Sequence, residues 1–406
     1  MVIASKKKMT TSSKKLDAIA VENFREYLRI PSVHPDIDYE PCVTFLEKQA
    51  KEIGLKVSVF RDVPKNPMVV LTWMGKESDL PSIVLNSHMD VVPVFEEQWA
   101  HKPFGAEIDS EGNIYARGAQ DCKCTGIQYL EAIRRLKLNG VEPRRTVHVT
   151  FMPDEELGGV NGAEQYVKTQ NFKNLNAGCA LDEAAGGENK TLIVFYGEKR
   201  RWSFRIHCPG QSGHGSLLLE NTPGEKVRAV LSNVYDFRAE QKVKEAQDKR
   251  TDRITSINLT IIEGGIKNNV IPNELALVFD TRVPMDDSEG FERKVHQWCK
   301  NAGAGVWLED VHKGGKHPNT PIDNSNIFWV AFKEAVHAMG YGVNPILSPA
   351  NSDARFFREA LIPTFGFSPN QDSPIMAHSN DEFLNVNVFL KGIEIYQEII
   401  RALFNA

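Results

Sequence analysis

Cysteine is scarce in this chain, with six residues in 406. That is too few for a disulfide-stapled scaffold. Several of Cys42, Cys122, Cys124, Cys179, Cys208 and Cys299 sit inside apolar runs, where a reduced thiol behaves as a small hydrophobe, so a reducing compartment, the cytoplasm, is expected. Long hydrophobic runs are also missing. None reaches the roughly 20 residues a membrane-spanning helix needs, and the opening MVIASKKKMTTSSKK lacks the continuous apolar stretch of a secretory signal. Nor does one charge dominate: 48 Lys and Arg stand against 53 Asp and Glu, a formal net charge of -5. This gives no electrostatic reason to expect nucleic acid or an anionic membrane as partner, and a small-molecule substrate fits better. Lys6, Lys7, Lys8, Lys14 and Lys15, without interleaved aromatics, read as a solvated, disordered tail over residues 1–15.

What is present is ordinary globular composition, 41% hydrophobic and 25% charged, on a chain longer than one core usually organises. Two domains are therefore expected. Apolar residues at helical spacing mark helices over Leu16–Ile30 and Pro41–Gly54, followed by β-rich runs at Val57–Phe60, Met68–Trp73, Ile83–Leu85, Thr146–Met152 and Cys179–Leu181, with a helix over Thr125–Leu138. That alternation predicts an α/β core. From about Arg201 the character changes to strands at Trp202–Ile206, Thr255–Ile262 and Leu275–Val283 and long helices over Glu225–Lys249 and Ser288–Ala302. The α/β pattern resumes near Asp323 and closes in a helix over Asn385–Leu403. The expectation is a first domain over 16–198 and 318–406, with a smaller α+β domain over 199–317 inserted into it.

Chemistry-bearing residues gather where apolar strands end, which is where α/β proteins display reactive groups. Asn86-Ser87-His88-Met89-Asp90 follows Ile83–Leu85, and alternation puts His88 and Asp90 on one side. Asp90 can then orient the imidazole while its other nitrogen meets a metal, although a solvated loop pair explains the residues equally well. Asp121, in Arg117-Gly118-Ala119-Gln120-Asp121, precedes a helix; alone it reads as an N-cap. The spacing of Cys122 and Cys124 argues against either binding metal. Pro153-Asp154-Glu155-Glu156-Leu157-Gly158-Gly159 places three carboxylates after a strand, one suited to be a ligand and another a base, with a solvated acidic surface as the even alternative. Leu181-Asp182-Glu183 and the stretch from Met376 through His378 to Glu382 complete the set. Together, two His and three carboxylates from five loops match an oxygen- and nitrogen-rich site for two zinc ions sharing a carboxylate. His101, His148 and His207 lie outside this pattern and read as structural.

The strings NSHMDVVPV (86–94), YARGAQDCK (115–123), TVHVTFMPDEELGG (146–159), ALDE (180–183), GGIKNNVIP (264–272) and FDTRV (279–283) resemble the aminoacylase-1 family, within the superfamily of zinc peptidases of glutamate carboxypeptidase and dipeptidase type. The resemblance implies a catalytic domain with a mixed sheet flanked by helices, and an inserted α+β domain serving as lid and dimerisation element. It implies two Zn2+ per subunit, with Asp121 bridging, His88 and Glu183 holding one ion, and Glu156 and His378 the other. Glu155 becomes the general base, Asp90 keeps a supporting role, and the peptide bond after Asp121 is cis. His214, in Gly210-Gln211-Ser212-Gly213-His214-Gly215-Ser216, is implied to stabilise the oxyanion in the neighbouring subunit of a homodimer. Arg282, Asn269 and, more weakly, Arg355 are implied to bind the substrate's carboxylate. Two departures stand out. Gly215 occupies a position where the family commonly has Ala or Ser, which suggests a more mobile loop, and the neighbours of His378 carry less charge. The implied reaction is hydrolysis of N-acyl L-amino acids. A dipeptidase or carboxypeptidase using the same metals, and a metal-free dimeric binding protein, are the other readings.

Overall fold

Strands that are apolar throughout must be covered on both faces, and a parallel sheet under helices provides that cover. The computed structural model, which describes residues 11–187, 190–247 and 251–406, shows such parallel strands at the centre of a mixed sheet. Ser82–His88 and Val147–Met152 are buried at every position. They run parallel, with Ile83 opposite Val147 and His88 opposite Met152. Ala177–Asp182 flanks Ser82–His88 on the other side, also parallel. The full sheet has eight strands in the order Lys56–Phe60, Met68–Trp73, Val147–Met152, Ser82–His88, Ala177–Asp182, Thr364–Phe367, Thr191–Glu198 and Gly342–Ser348. Three adjacent parallel strands therefore deliver their carboxyl ends to one edge.

The chain divides into two compact units. The first runs to Tyr196 and resumes over Thr320–Pro345 and Ser352–Ala406. Its helices include Thr11–Leu28, Glu40–Ile53, Lys123–Leu138, Ile327–Ala338 and Val386–Asn405. Glu40–Ile53 stops at Gly54, whose φ of 76° suits a residue without Cβ. Val386–Asn405 starts where the Asn385 side chain accepts from the Asn387 N–H. The helices bury Phe24, Ile127, Tyr129 and Tyr396 with Leu85, Val149 and Phe151 of the sheet. Burying each such large side chain is worth about 1.5–3 kcal/mol. Because the first helix begins at Thr11, residues 11–15 of the expected disordered tail are helical; the rest of that tail, residues 1–10, lies outside the described residues.

The second unit comprises Gly197–Asn319 and Ile346–Asn351. Its antiparallel sheet has the order Ser256–Gly264, Glu274–Val283, Arg200–Pro209 and Trp307–Lys313. Pro223–Gln247 and Ser288–Ala302 are its long helices. Trp202, Phe204, Val230, Phe279, Phe291 and Val295 form a hydrophobic core separate from that of the first unit. The Trp307–Lys313 strand was not anticipated, since its apolar Trp307, Leu308 and Val311 do not alternate and most of its residues are exposed.

Candidate metal centre

The sheet edge explains how distant residues meet. His88 ends one strand, Glu183 follows the neighbouring Ala177–Asp182, and Glu155 and Glu156 follow Val147–Met152 on the other flank. Asp121 immediately precedes Cys122, the residue at the head of the Lys123–Leu138 helix. It does not cap that helix: the N-cap position is Cys122, which makes no side-chain cap bond. His378 comes from the loop ahead of Phe383–Asn385. Its φ of 63° is a left-handed conformation rare for a residue with Cβ, as is the 67° of Asp154 just before the glutamates.

Asp121 stands between the two imidazoles. Its Oδ1 lies 3.1 Å from Nε2 of His88, and its Oδ2 lies 3.0 Å from Nε2 of His378. Nε2 of His88 is also 3.2 Å from Oε2 of Glu183, while Nε2 of His378 is 3.1 Å from Oε2 of Glu156. Two groups result whose ligand-type atoms lie within 4.8 Å of one another: His88, Asp121, Cys122 and Glu183, and Asp121, Glu156 and His378. All five residues expected from the strand-end argument are thus brought together. Cys122 also lies within the first group, and burial pushes its thiol pKa far up. The Asp121–Cys122 peptide bond is cis.

The role of Asp90 needs correction in detail. Its backbone carbonyl, not its carboxylate, lies 2.9 Å from Nδ1 of His88, while the carboxylate is 3.7 Å away. A carbonyl only accepts, so Nδ1 carries the proton and Nε2 offers its lone pair to the cluster. The Asp90 carboxylate instead accepts from the backbone N–H groups of Glu155 (3.2 Å) and Glu156 (3.0 Å), and from His34. Burial opposes its charge, but the bond from His34, the nearby His88 ring and the Glu156 N–H prevail and hold its pKa well below the usual carboxylate range.

The cluster is crowded with negative charge. Burial, then the charge of Glu183, pushes the Glu155 carboxyl well up; Asp353, buried with neither carboxylate oxygen hydrogen-bonded, adds to this. Burial likewise lifts Glu183 to about 8. Oε1 of Glu156 is buried without a partner. Oxygen and imidazole donors, an orphaned carboxylate oxygen and carboxyls pushed toward neutrality are what a dication would relieve, so these residues fit one or more metal ions.

The substrate-side candidates come from both units. His214 and Asn269 are neighbours in the second unit: Gly213–His214 pairs with Val270–Ile271, and the Gly215 N–H donates to the Asn269 carbonyl at 2.8 Å. A Cβ on Gly215 would stand 3.2 Å from that carbonyl's atoms, so glycine there permits close packing. The Ser216 N–H donates to Nδ1 of His214, leaving Nε2 as the protonated donor on an exposed ring. Arg282 is partly exposed beside Asp280, with Nε 3.3 Å from its carboxylate. Arg355 is turned inward, its Nη1 and Nη2 donating to the carbonyls of Ser352 (2.8 Å) and Gly158 (2.6 Å). It braces the loop carrying the glutamates. His148 pairs with Thr72, and within the second unit His207 sits between Glu274 and Glu309.

Sequence reasoning missed His34, Arg117 and Glu382. His34 precedes a cis proline in an irregular segment with no strand to place it. Arg117 and Glu382 stood inside motifs quoted for other residues, and the only available signal was a buried charge pair that spacing cannot reveal.

Comparison with known proteins adds independent findings. The model of peptidase family M20/M25/M40 matches residues 84–402. Aminoacylase-1 of Mus musculus is 44% identical over 97% of this chain and 98% of its own length. Among solved structures, an M20 family metallo-carboxypeptidase from Sulfolobus solfataricus superposes with a TM-score of 0.71 at 20% identity, covering 95% of this chain and 99% of that one. A dinuclear metal-binding M20 peptidase from Bacillus subtilis gives 0.67 at 18% identity, covering 95% and 98%.

Proposed function

This chain belongs to peptidase family M20/M25/M40, on the branch of the aminoacylase-1 proteins, and from that premise we propose that it hydrolyses the amide bond of N-acyl L-amino acids to a free amino acid and a carboxylate. The observation carrying the reading is Asp121, one carboxylate facing His88 on one side and His378 on the other. We assign His88, Asp121 and Glu183 to one zinc ion and Asp121, Glu156 and His378 to a second. Bound there, zinc would supply the positive charge that makes water acidic near neutral pH and polarises an acyl oxygen.

The chain's own groups do the rest. Glu155, set within the cluster and destabilised as an anion by Glu183, accepts the proton of the attacking water and returns it to the departing amino group, acting as base and then acid. Asp90 holds the N–H groups of Glu155 and Glu156, fixing the carboxylate that moves the proton. Arg282 pairs with the substrate's α-carboxylate, supported by Asn269. His214 donates from Nε2 to the oxyanion in the site of a second copy, which makes a homodimer the working form. The second unit, Gly197–Asn319 with Ile346–Asn351, serves as lid and dimerisation element. A cytoplasmic location accords with six free, buried cysteines. Among the described residues no helix is long and apolar enough to cross a membrane.

The test is a substrate panel. N-acetylmethionine should be cleaved and free dipeptides largely spared; faster turnover of dipeptides would transfer the chain to the dipeptidase reading. Varying the acyl chain at constant amino acid then defines the acyl pocket. Mixing inactive His214→Ala chains with inactive Glu155→Gln chains should restore activity in mixed dimers, and no restoration would remove the shared site.

A further inference from the structure

Two ligand-bearing loops in the first unit are joined by a buried ion pair that the reaction itself does not use. Arg117 belongs to the loop of Asp121, and Glu382 to that of His378. Each grips the other's backbone. Nη2 of Arg117 donates to the carbonyl of His378 at 3.2 Å, and Nη1 to that of Ser379 at 3.1 Å. In return, Oε2 of Glu382 accepts from Nη1 of Arg117 at 2.7 Å and from the Gly118 N–H at 3.2 Å. Its Oε1 accepts from the N–H groups of Gln120 at 2.6 Å and Asp121 at 3.2 Å. Both side chains are almost fully buried. The Arg117 guanidinium also lies 5.2 Å from the centre of the Trp99 ring, which limits its alternatives. Every hydrogen-bond partner of Glu382 named here is a donor, so both of its oxygens serve as acceptors.

The other pair of ligands has no such need. His88 and Glu183 emerge from adjacent parallel strands, and the ladder between those strands sets their spacing. Asp121 and His378 come from loops 257 residues apart in sequence, with no ladder between them, and His378 holds a left-handed backbone conformation. We propose that Arg117 and Glu382 act as a positioning clamp that sets Asp121 against His378 and so secures chiefly the metal position formed by Asp121, Glu156 and His378, the position of His88 and Glu183 being touched only through the shared Asp121. This rests on the two-metal reading above.

The experiment titrates Zn2+ into the metal-free full chain against a chromophoric chelator and resolves the affinity of each position, with His378→Ala identifying the step that belongs to the second. Glu382→Gln places an amide NH2 against N–H donors. Arg117→Lys keeps the charge but loses the fork, and carries the test if the first variant does not fold. Each should weaken the step lost in His378→Ala about 10–100-fold, the scale for groups that support metal ligands, and the other step, which shares only Asp121, clearly less. Unchanged affinities at both positions, or equal weakening of both as expected from general loosening, would overturn the clamp. Fewer than two ions on the unaltered chain would instead remove the two-metal reading and the clamp with it, a result seen before any variant is made.

Discussion

Nε2 of His34 lies 2.8 Å from Oδ2 of Asp90, and the carboxylate so anchored is fully buried. On its other side Asp90 receives the backbone N–H groups of Glu155 and Glu156. A charge kept inside the protein by donors on both flanks cannot turn away, so the acidic loop inherits its position from His34.

Asp90→Asn replaces an acceptor with a donor facing those N–H groups. The expected result is a fall in kcat of about 10–100-fold together with weaker metal binding, measured by steady-state kinetics and metal analysis of the purified protein. His34→Ala should move both in the same direction by less, because the two backbone donors remain.

Glu155→Gln retains shape and removes the proton acceptor. Turnover should drop by about 10²–10⁴-fold, the usual range for a general base, while metal content stays at that of the unaltered chain. An active variant with full metal would take the base role away from Glu155.

Removal of metal should end activity and lower thermal stability together, because the buried carboxyls of Glu155 and Glu183, each raised by burial, then stand close without a cation. A ligand present at about 100 times its dissociation constant stabilises by about 2.7 kcal/mol, so dialysis against a chelator should lower Tm measurably. Adding Zn2+ should restore both. Activity surviving in demonstrably metal-free protein would contradict the mechanism.

Acid stability should depend on His148. Burial holds its folded-state pKa down to about 4, against about 6.5 in an unfolded chain. Above pH 6.5 neither state binds the proton and the residue has no effect. Between pH 6.5 and 4 the unfolded state takes up a proton that the folded state refuses, so stability falls by about 1.4 kcal/mol per pH unit, up to about 3 kcal/mol. Denaturant melts of His148→Gln across this range should show a correspondingly flatter acid limb.

Much of the centre was legible because apolar strands announce themselves. Ser82–His88, Val147–Met152 and Ala177–Asp182 are apolar enough to be recognised, and their ends carry His88, Glu155, Glu156 and Glu183. The parallel order that brings those ends together is a long-range property, and so is the meeting of Asp121 with His378. Asp121 alone resembled a helix cap because the sequence shows only the helix behind it, not the imidazoles in front. The Asp90 carboxylate was given to His88 because alternation counts side chains, whereas the contact uses its backbone carbonyl. Arg117 and Glu382 escaped notice for a related reason: a buried ion pair between remote loops has no periodicity.

All six cysteines are free and buried, four in the first unit and Cys208 and Cys299 in the second. An alkylating reagent added to the native protein therefore finds no sulfhydryl until a unit opens, and the labelled peptide identifies which one opened. Cys122 stands apart from the rest: it neighbours Asp121 and lies within the first metal group, so its rate of modification with and without Zn2+ would time the breathing of the cage itself.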